Sequence, residues 1–233
     1  MSGLARRAAA EFTGTAFLVI AVVGSGVMAS RLSPDDVGLQ LLQNSLATGA
    51  ALVALILALQ PVSASFNPVV TLVERALGLL DTRTAAGLIL AQFAGGLAGT
   101  VVANLMFGLP AVMISTHQRS GAGLWLGEVV GTIGLLLVVF GTVRSGRADR
   151  AAFAVGGYIA AAYWFTSSTS FANPAVTVAR TITDTFAGIA PASAPGFILA
   201  QLLGGAAGFV LVRLLYPTPA PSSAPAADRK VLS

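Results

Sequence analysis

The 233-residue chain is unusually poor in charge: 9% of its residues are Asp, Glu, Lys or Arg, and 55% are hydrophobic. An ordinary soluble domain carries about 25% charged residues, so this composition excludes a water-soluble fold and predicts several membrane spans. The absence of cysteine excludes disulfides, thiolate metal sites and thiol catalysis. The formal charge of +4 does not indicate nucleic acid, because the basic residues are scattered between apolar segments, where the lipid bilayer is their natural partner.

Six apolar segments are candidates to cross a bilayer, which takes about 20 helical residues per crossing. In chain order they cover residues 9–30, 39–60, 84–107, 122–143, 151–166 and 193–216, the fifth being short. A signal peptide is the alternative for the first segment, but that segment is long and carries Glu11, so we interpret it as a retained helix. Residues 217–233 are rich in Pro, Ala and Ser, which predicts a disordered cytoplasmic tail.

The basic residues predict the orientation of the chain. With the N terminus inside, ten of the 13 Lys and Arg residues lie on the cytoplasmic side, and Arg31, Arg119 and Arg180 lie outside. The positive-inside rule therefore predicts that both termini are cytoplasmic. An even number of crossings requires the same arrangement.

The chain contains two halves of similar sequence. AEFTGT from Ala10 corresponds to GEVVGT from Gly127, NPVVTLVERALG from Asn67 to NPAVTVARTITD from Asn173, and AQFAGGLAGTVV from Ala91 to AQLLGGAAGFVL from Ala200. Because the matched blocks keep their order and each half has three spans, the second half must enter the membrane from the opposite side. We therefore expect one domain over residues 1–216, built from an inverted repeat of about 8–107 and about 122–216.

Two Asn-Pro pairs open apolar segments that are too short to cross the membrane. Asn is a favoured helix cap and Pro a favoured first helical residue, so Asn67-Pro68 and Asn173-Pro174 each predict a short helix after an irregular loop. Irregular backbone within the hydrocarbon core of a bilayer is tolerated only where it is buried in protein or lines a water-filled cavity. We expect both Asn side chains and both positive helix ends, each equivalent to about +0.5 charge, to face one passage near the midplane. The alternative is two surface loops with capped helices.

These motifs resemble those of the aquaporin (major intrinsic protein) family over residues 8–216. The resemblance rests on Asn67-Pro68-Val69, Asn173-Pro174-Ala175, and Glu11 and Glu128 in their repeated contexts. It implies an all-α membrane protein, a right-handed bundle of six transmembrane helices and two half-helices, usually assembled as a homotetramer with one pore per subunit. Such channels pass water or small uncharged solutes without a cofactor. The first motif departs from the family, with Val69 for Ala and Ser65 where a His is common, and we expect Val69 to alter packing at the constriction.

The resemblance also implies a narrower selectivity filter on the outer side of the paired motifs. Counting from this chain's motifs places it at Ala47, Ala161, Ser170 and Val176, where water-selective relatives have an aromatic residue, His, a small residue and Arg. This predicts a wide, largely apolar filter with the Ser170 hydroxyl as its only side-chain donor. Val176 in place of Arg, together with the run SSTSFANPAV, makes the sequence resemble a bacterial subgroup associated with arsenic resistance. That resemblance implies arsenous acid, As(OH)3, as cargo besides glycerol and water, and a location in the inner membrane.

Three further charged residues lie close to the predicted pore. Glu11 and Glu128 are intramembrane carboxylates and hence candidates for proton relay, but their equivalent places in the repeat favour hydrogen bonding to the loops that enter the half-helices. Arg180 follows Val176 by one helical turn and is a candidate for an outer-mouth cation that partly replaces the missing Arg. The alternatives for Arg180 are snorkelling to headgroups or pairing with Asp184.

Two classes of function stay open from the sequence. The leading one is a passive channel for trivalent metalloid hydroxides, with a water- or glycerol-selective aquaporin as its nearest alternative. The other is an ion-coupled secondary transporter, which also uses inverted repeats and broken helices. An enzyme is not expected, because no nucleophile, base and orienting group can be recognised together. No metal site is expected either, because His117 is the only histidine and cysteine is absent.

Overall fold

The computed structural model describes residues 3–217, and this part of the chain is helical. The eight α-helices are α1 (Gly3–Leu32), α2 (Val37–Leu59), α3 (Pro68–Ala76), α4 (Thr82–Met106), α5 (Ala122–Arg144), α6 (Ala151–Phe165), α7 (Pro174–Ala179) and α8 (Ala194–Leu215). Short 3-10 turns precede α6 (Ala148–Arg150) and follow α7 (Arg180–Ile182). The predicted disordered tail lies outside the described residues, apart from Pro217.

Six of these helices coincide with the predicted membrane spans. The largest difference is at the start of α1, which begins at Gly3 and not at residue 9, so that Arg6 and Arg7 lie in its first turns. α1, α2, α4, α5 and α8 are long and apolar enough to cross a membrane. α6 has 15 residues and a length of about 22 Å, so it is short for a span, as the sequence indicates.

The two half-helices α3 and α7 begin where the Asn-Pro pairs predict. Asn67 and Asn173 are the N-caps, with extended backbone, and Pro68 and Pro174 occupy the first helical positions. Each Asn accepts hydrogen bonds from its own helix: the Asn67 side chain from Val69 N, and the Asn173 side chain from two successive amides. The two segments are therefore capped helices, and with nine and six residues they are too short to cross a membrane.

The two halves meet where α2 crosses α6. Gly49 and Gly156 lie at this crossing, and a Cβ atom added to Gly49 would stand 2.9 Å from the Gly156 carbonyl oxygen. A Cβ on Gly156 would stand 2.7 Å from the Gly49 carbonyl oxygen. This reciprocal contact between the two halves allows the backbones to touch, as small residues do at helix crossings in membranes.

Within the halves, α1 packs along α4 and α5 packs along α8. A Cβ on Gly95 or Gly99 would lie 2.3 Å from the Phe12 carbonyl oxygen or 2.4 Å from the Ala16 carbonyl oxygen. Gly204 takes the corresponding place in the second half, with the Val129 carbonyl oxygen 2.7 Å from its added Cβ. The repeated glycines thus set the spacing of the helix pairs that carry the half-helix loops.

Candidate pore

The N-terminal ends of α3 and α7 are joined crosswise by hydrogen bonds. Asn67 Nδ2 donates to the Ala172 carbonyl oxygen at 2.7 Å, and Asn173 Nδ2 donates to the Phe66 carbonyl oxygen at 2.7 Å. Each amide nitrogen carries two hydrogens, so one on each remains for another partner. Both Asn side chains line the same cavity, and the structure therefore brings the two motifs together in a single passage.

The residue before each Asn has a backbone conformation that residues other than glycine rarely adopt. Phe66 has φ 47° and Ala172 has φ 48°, both in the left-handed region. This conformation costs a non-glycine residue about 1–2 kcal/mol and persists only when its surroundings hold it. The Phe66 amide donates to Glu11 Oε2 at 2.7 Å, and the Ala172 amide donates to Glu128 Oε2 at 2.9 Å. The carboxylates thus hold the turns whose carbonyls bind the opposite Asn.

The Glu11 carboxylate is fully buried and accepts hydrogen bonds from four donors. Besides Phe66 N, Glu11 accepts from Ser63 Oγ at 2.6 Å, Ser65 N at 2.9 Å and Gln92 Nε2 at 2.8 Å. An ionised carboxylate offers about four acceptor sites, so these contacts use its whole capacity. A fully engaged carboxylate of this kind favours loop support over proton relay or ion coupling.

Glu128 repeats this pattern in the second half and is also fully buried. It accepts from Phe171 N at 2.8 Å, in addition to Ala172 N, and from Gln201 Nε2 at 2.6 Å. Gln201 also donates to Thr177 Oγ1 at 2.9 Å in α7. In the first half Gln92 Nε2 likewise donates to Thr71 Oγ1 at 2.9 Å in α3, so each glutamate is tied to its half-helix through a Gln and a Thr.

Val69, the unusual third residue of the first motif, packs away from the passage. It is 2% exposed and does not line the cavity. A Cβ added at Gly205 of α8 would stand 2.7 Å from Val69 Cγ1. The larger side chain thus fills space over a glycine of α8, and its effect on the constriction is through packing.

One cavity of about 380 Å³ runs through the bundle. We call the end of the bundle that holds the start of α1 and the end of α8 the inner end, and the opposite end the outer end. The cavity extends from Arg7 and Ala148, at the inner end, past both Asn side chains to Tyr163 and Arg180. A second cavity of about 230 Å³ also has Tyr163 and Arg180 in its wall. Tyr163 and Arg180 therefore stand at the boundary between the two cavities, and we call the stretch around them the narrow region.

The structure corrects two of the four predicted filter positions. Ala161 is exposed on α6 and Ala47 is half-buried on α2, and neither lines the cavity. Thr48 and Tyr163 line it instead, with Tyr163 Oη 3.3 Å from Thr48 Oγ1. Successive residues of a helix point about 100° apart, so an error of one or two positions turns the side chain away from the pore.

Ser170 and Val176 do line the cavity, as the sequence predicts, and both are buried. The Ser170 hydroxyl has no hydrogen-bond partner within residues 3–217. Together with Thr48 and Tyr163 it gives the narrow region three hydroxyl groups. The expected filter with Ser170 as its sole donor is therefore wrong: this wall combines hydroxyls with the apolar Val176.

Arg180 reaches the passage instead of the membrane surface. It is 3% exposed, its Nε donates to the Ala187 carbonyl oxygen, and its guanidinium carbon lies 3.4 Å from the centre of the Phe171 ring. Asp184 does not pair with it; that carboxylate accepts from the amide and the hydroxyl of Thr116 at 2.8 Å and 3.0 Å, which lowers the pKa of Asp184. Neither snorkelling nor the Asp184 pair describes Arg180. Its terminal nitrogens have no hydrogen-bond partner in the described part of the chain.

Glu74 is a pore residue that the sequence indicates only as the counterpart of Arg180 in the repeat. It lines the cavity on the inner side of the Asn pair, and its Oε2 accepts from Ser65 Oγ at 2.9 Å. Thr48 and Tyr163 are the other pore residues that sequence reasoning missed. For these two, only the helical phase of α2 and α6 carries a signal, and the apolar pattern of both helices hides it.

Comparison with known proteins agrees with this geometry. The model of the major intrinsic protein family matches residues 2–170. The chain belongs to the major intrinsic protein family. It is 49% identical over 213 residues to the aquaglyceroporin AqpS of Rhizobium meliloti (strain 1021), covering 91% of each chain. The X-ray structure of the aquaglyceroporin from Plasmodium falciparum has the same fold, with a TM-score of 0.68 and 19% identity over 91% of this chain and 99% of that one.

Membership of this family identifies the fold and the class of function. The eight helices form the aquaporin fold, and the protein is an integral membrane channel for small solutes and not an enzyme. Within residues 3–217 no group of three or more His, Cys, Asp and Glu side chains is placed to hold a metal ion. His117 lies 3.8 Å from Asp184 in an exposed outer loop.

Proposed function

We propose that this channel passes small uncharged hydroxylated solutes, with trivalent metalloid hydroxides such as arsenous acid as its main cargo and glycerol and water as further cargo. The observation that carries the proposal is the composition of the narrow region. Thr48, Tyr163 and Ser170 offer hydroxyls to this part of the cavity, and Val176 offers apolar surface. A molecule with several O–H groups and no charge finds donors and acceptors there, and the Arg180 guanidinium, which lines the same cavity, adds donors without repelling an uncharged solute.

The proposed path runs from the outer constriction at Ser170 and Val176, past Asn67 and Asn173, to the inner end. The second hydrogen on each Asn amide is available to a solute oxygen at the midplane. Glu11 and Glu128 act in this proposal as loop supports, and Arg180 as the cation of the outer mouth. The arsenic assignment rests on the resemblance of the Val176 region to an arsenic-resistance subgroup.

The test uses purified protein in lipid vesicles and stopped-flow measurements of water, glycerol and arsenous acid permeability, against protein-free vesicles. We expect all three solutes to enter faster through the protein, each down its gradient. High water flux with exclusion of both larger solutes would replace this proposal with a water-selective aquaporin, and glycerol flux without arsenous acid flux would remove the metalloid assignment. Saturable uphill uptake driven by a proton or sodium gradient would favour the secondary transporter.

We also propose that the protein is a homotetramer in the bacterial inner membrane, with both termini in the cytoplasm. Large apolar side chains are exposed along the outer faces of several helices, among them Phe17, Leu90 and Leu214, and such faces suit lipid or neighbouring subunits. Native mass spectrometry of the detergent-solubilised protein measures the assembly directly. A monomer under conditions that preserve solute flux would contradict the tetramer.

A further inference from the structure

The large cavity has an excess of positive charge along its length. Both half-helix N-termini point into it, each equivalent to about +0.5 charge, and Arg180 lies at its outer end and Arg7 at its inner end. All of these groups repel cations and attract anions. A neutral-solute channel of this design needs a separate barrier against small anions.

Glu74 is the one acidic side chain among the described residues that line this cavity. It occupies the same position in α3 that Arg180 occupies after α7, seven residues beyond the capping Asn. Ser65 Oγ holds its Oε2 at 2.9 Å, and its Oε1 has no hydrogen-bond partner within residues 3–217. Arg7 makes no ion pair with it within 4 Å, so the Glu74 charge is not cancelled by direct contact.

We propose that Glu74 excludes anions from the pore, as the counterpart of Arg180, which excludes cations. The two opposite charges stand in series on either side of the Asn pair, so every ion meets at least one like charge. An uncharged solute meets neither barrier. This inference rests on the proposed neutral-solute function and adds to it the residue that keeps the positive pore closed to anions.

The experiment measures chloride entry at pH 8 into vesicles that contain a chloride-quenched dye, with valinomycin carrying the compensating potassium. Glu74→Gln removes the charge and keeps a side-chain oxygen for Ser65, and Glu74→Leu removes the charge without that oxygen. A unit charge a few ångströms away in a pore is worth more than a tenfold change in partition, so we expect chloride permeability to rise about tenfold or more. Asp149→Asn is the matched control, because Asp149 is exposed outside the cavity near the inner end; it should leave chloride exclusion intact.

A second variant separates charge from shape. Gln60 lines the cavity at the inner end of α2, so Gln60→Glu combined with Glu74→Gln returns a negative charge to the same stretch of the pore. We expect this double variant to exclude chloride again. The proposal is overturned if neither Glu74 variant admits chloride, or if the double variant stays as permeable as Glu74→Gln. Glycerol flux is recorded in the same preparations, so a wild-type protein that passes no neutral solute refutes the proposed function, while chloride entry still tests Glu74.

Discussion

Val176 stands where an arginine is usual in water-selective relatives, and it is the residue on which the proposed substrate range depends most. It is 5% exposed and lines the same cavity as Ser170, whose hydroxyl has no hydrogen-bond partner among the described residues. Arg180 lies one turn further out and contacts the Phe171 ring. A positive group is thus present in the narrow region, but it is displaced along the axis, and the wall at Val176 stays apolar.

Val176→Arg should reduce the permeability to glycerol and arsenous acid about tenfold or more, equivalent to about 1.4 kcal/mol in the barrier, with a smaller reduction for water. The larger side chain narrows the passage, and its guanidinium adds donors that a bulky solute cannot match simultaneously. Stopped-flow measurements on reconstituted vesicles give all three permeabilities. Val176→Ile is the control for added size without charge, and unchanged arsenous acid flux in Val176→Arg would place Val176 outside the filter.

Prediction from sequence is weakest for the individual side chains that line the pore. Ser170 and Val176 line the cavity, and their prediction rests on the adjacent Asn173 motif, whose helix start fixes their position. Ala47 and Ala161 were wrong, since α2 and α6 carry no nearby motif and each residue changes the direction of the side chain by about 100°. The resulting difference is chemical: two alanines predict an apolar wall, and Thr48 and Tyr163 supply hydroxyls.

The half-helices were predictable as elements because their signals are local. An Asn cap followed by Pro defines the first turn of a helix without any tertiary information, and both helices begin at these residues. The left-handed turns at Phe66 and Ala172 were not predictable, since neither is glycine. They are imposed by the buried carboxylates and by the crosswise Asn bonds, which only the folded structure brings together.

Glu11→Gln and Glu128→Gln should each destabilise the folded channel, by about 2–3 kcal/mol, because an amide cannot accept from all of these donors and brings an N–H group that faces other donors. Thermal unfolding in detergent, followed by size-exclusion chromatography, measures the loss as a lower midpoint temperature. Asp149→Asn, at an exposed inner site, controls for the removal of one negative charge. A midpoint equal to that of the wild type in both variants would contradict the loop-support role.

The close packing of α1 against α4 can be tested by adding a methyl group at their contact. Gly99→Ala should lower the free energy of unfolding by about 1–3 kcal/mol, as overpacking does, because its Cβ would lie 2.4 Å from the Ala16 carbonyl oxygen. Gly157→Ala is the matched control in α6, since no atom lies within 4 Å of its added Cβ. That change should be neutral or slightly stabilising, because Ala favours a helix over Gly by about 1 kcal/mol. Equal midpoint temperatures in the two variants would show that α1 and α4 separate without cost.

The inverted repeat explains why the same sequence pattern builds a half-helix on each side of the membrane. α2 and α6 meet at Gly49 and Gly156, and α3 and α7 meet at their capping Asn residues. Equivalent places in the two halves differ in charge where the solute passes: position 74 is Glu and position 180 is Arg. The repeat could be predicted from matched sequence blocks, because duplication leaves residue identities in order. The same repeat pairs Glu74 with Arg180 and so predicts two mouths of different charge. That both side chains reach one cavity is visible only in the structure.

The proposed orientation of the molecule rests on its distribution of basic residues and can be tested without removing any native thiol. The chain contains no cysteine, and exposed Ser120 and Ser145 lie at opposite ends of α5. With both termini in the cytoplasm, Ser120→Cys should react with a membrane-impermeant maleimide added to intact spheroplasts, and Ser145→Cys only after the membrane is permeabilised. The reverse labelling pattern would invert the assignment of Glu74 and Arg180 to the two sides of the membrane. It would leave the series of opposite charges intact, because that series depends only on the order of the groups along the pore.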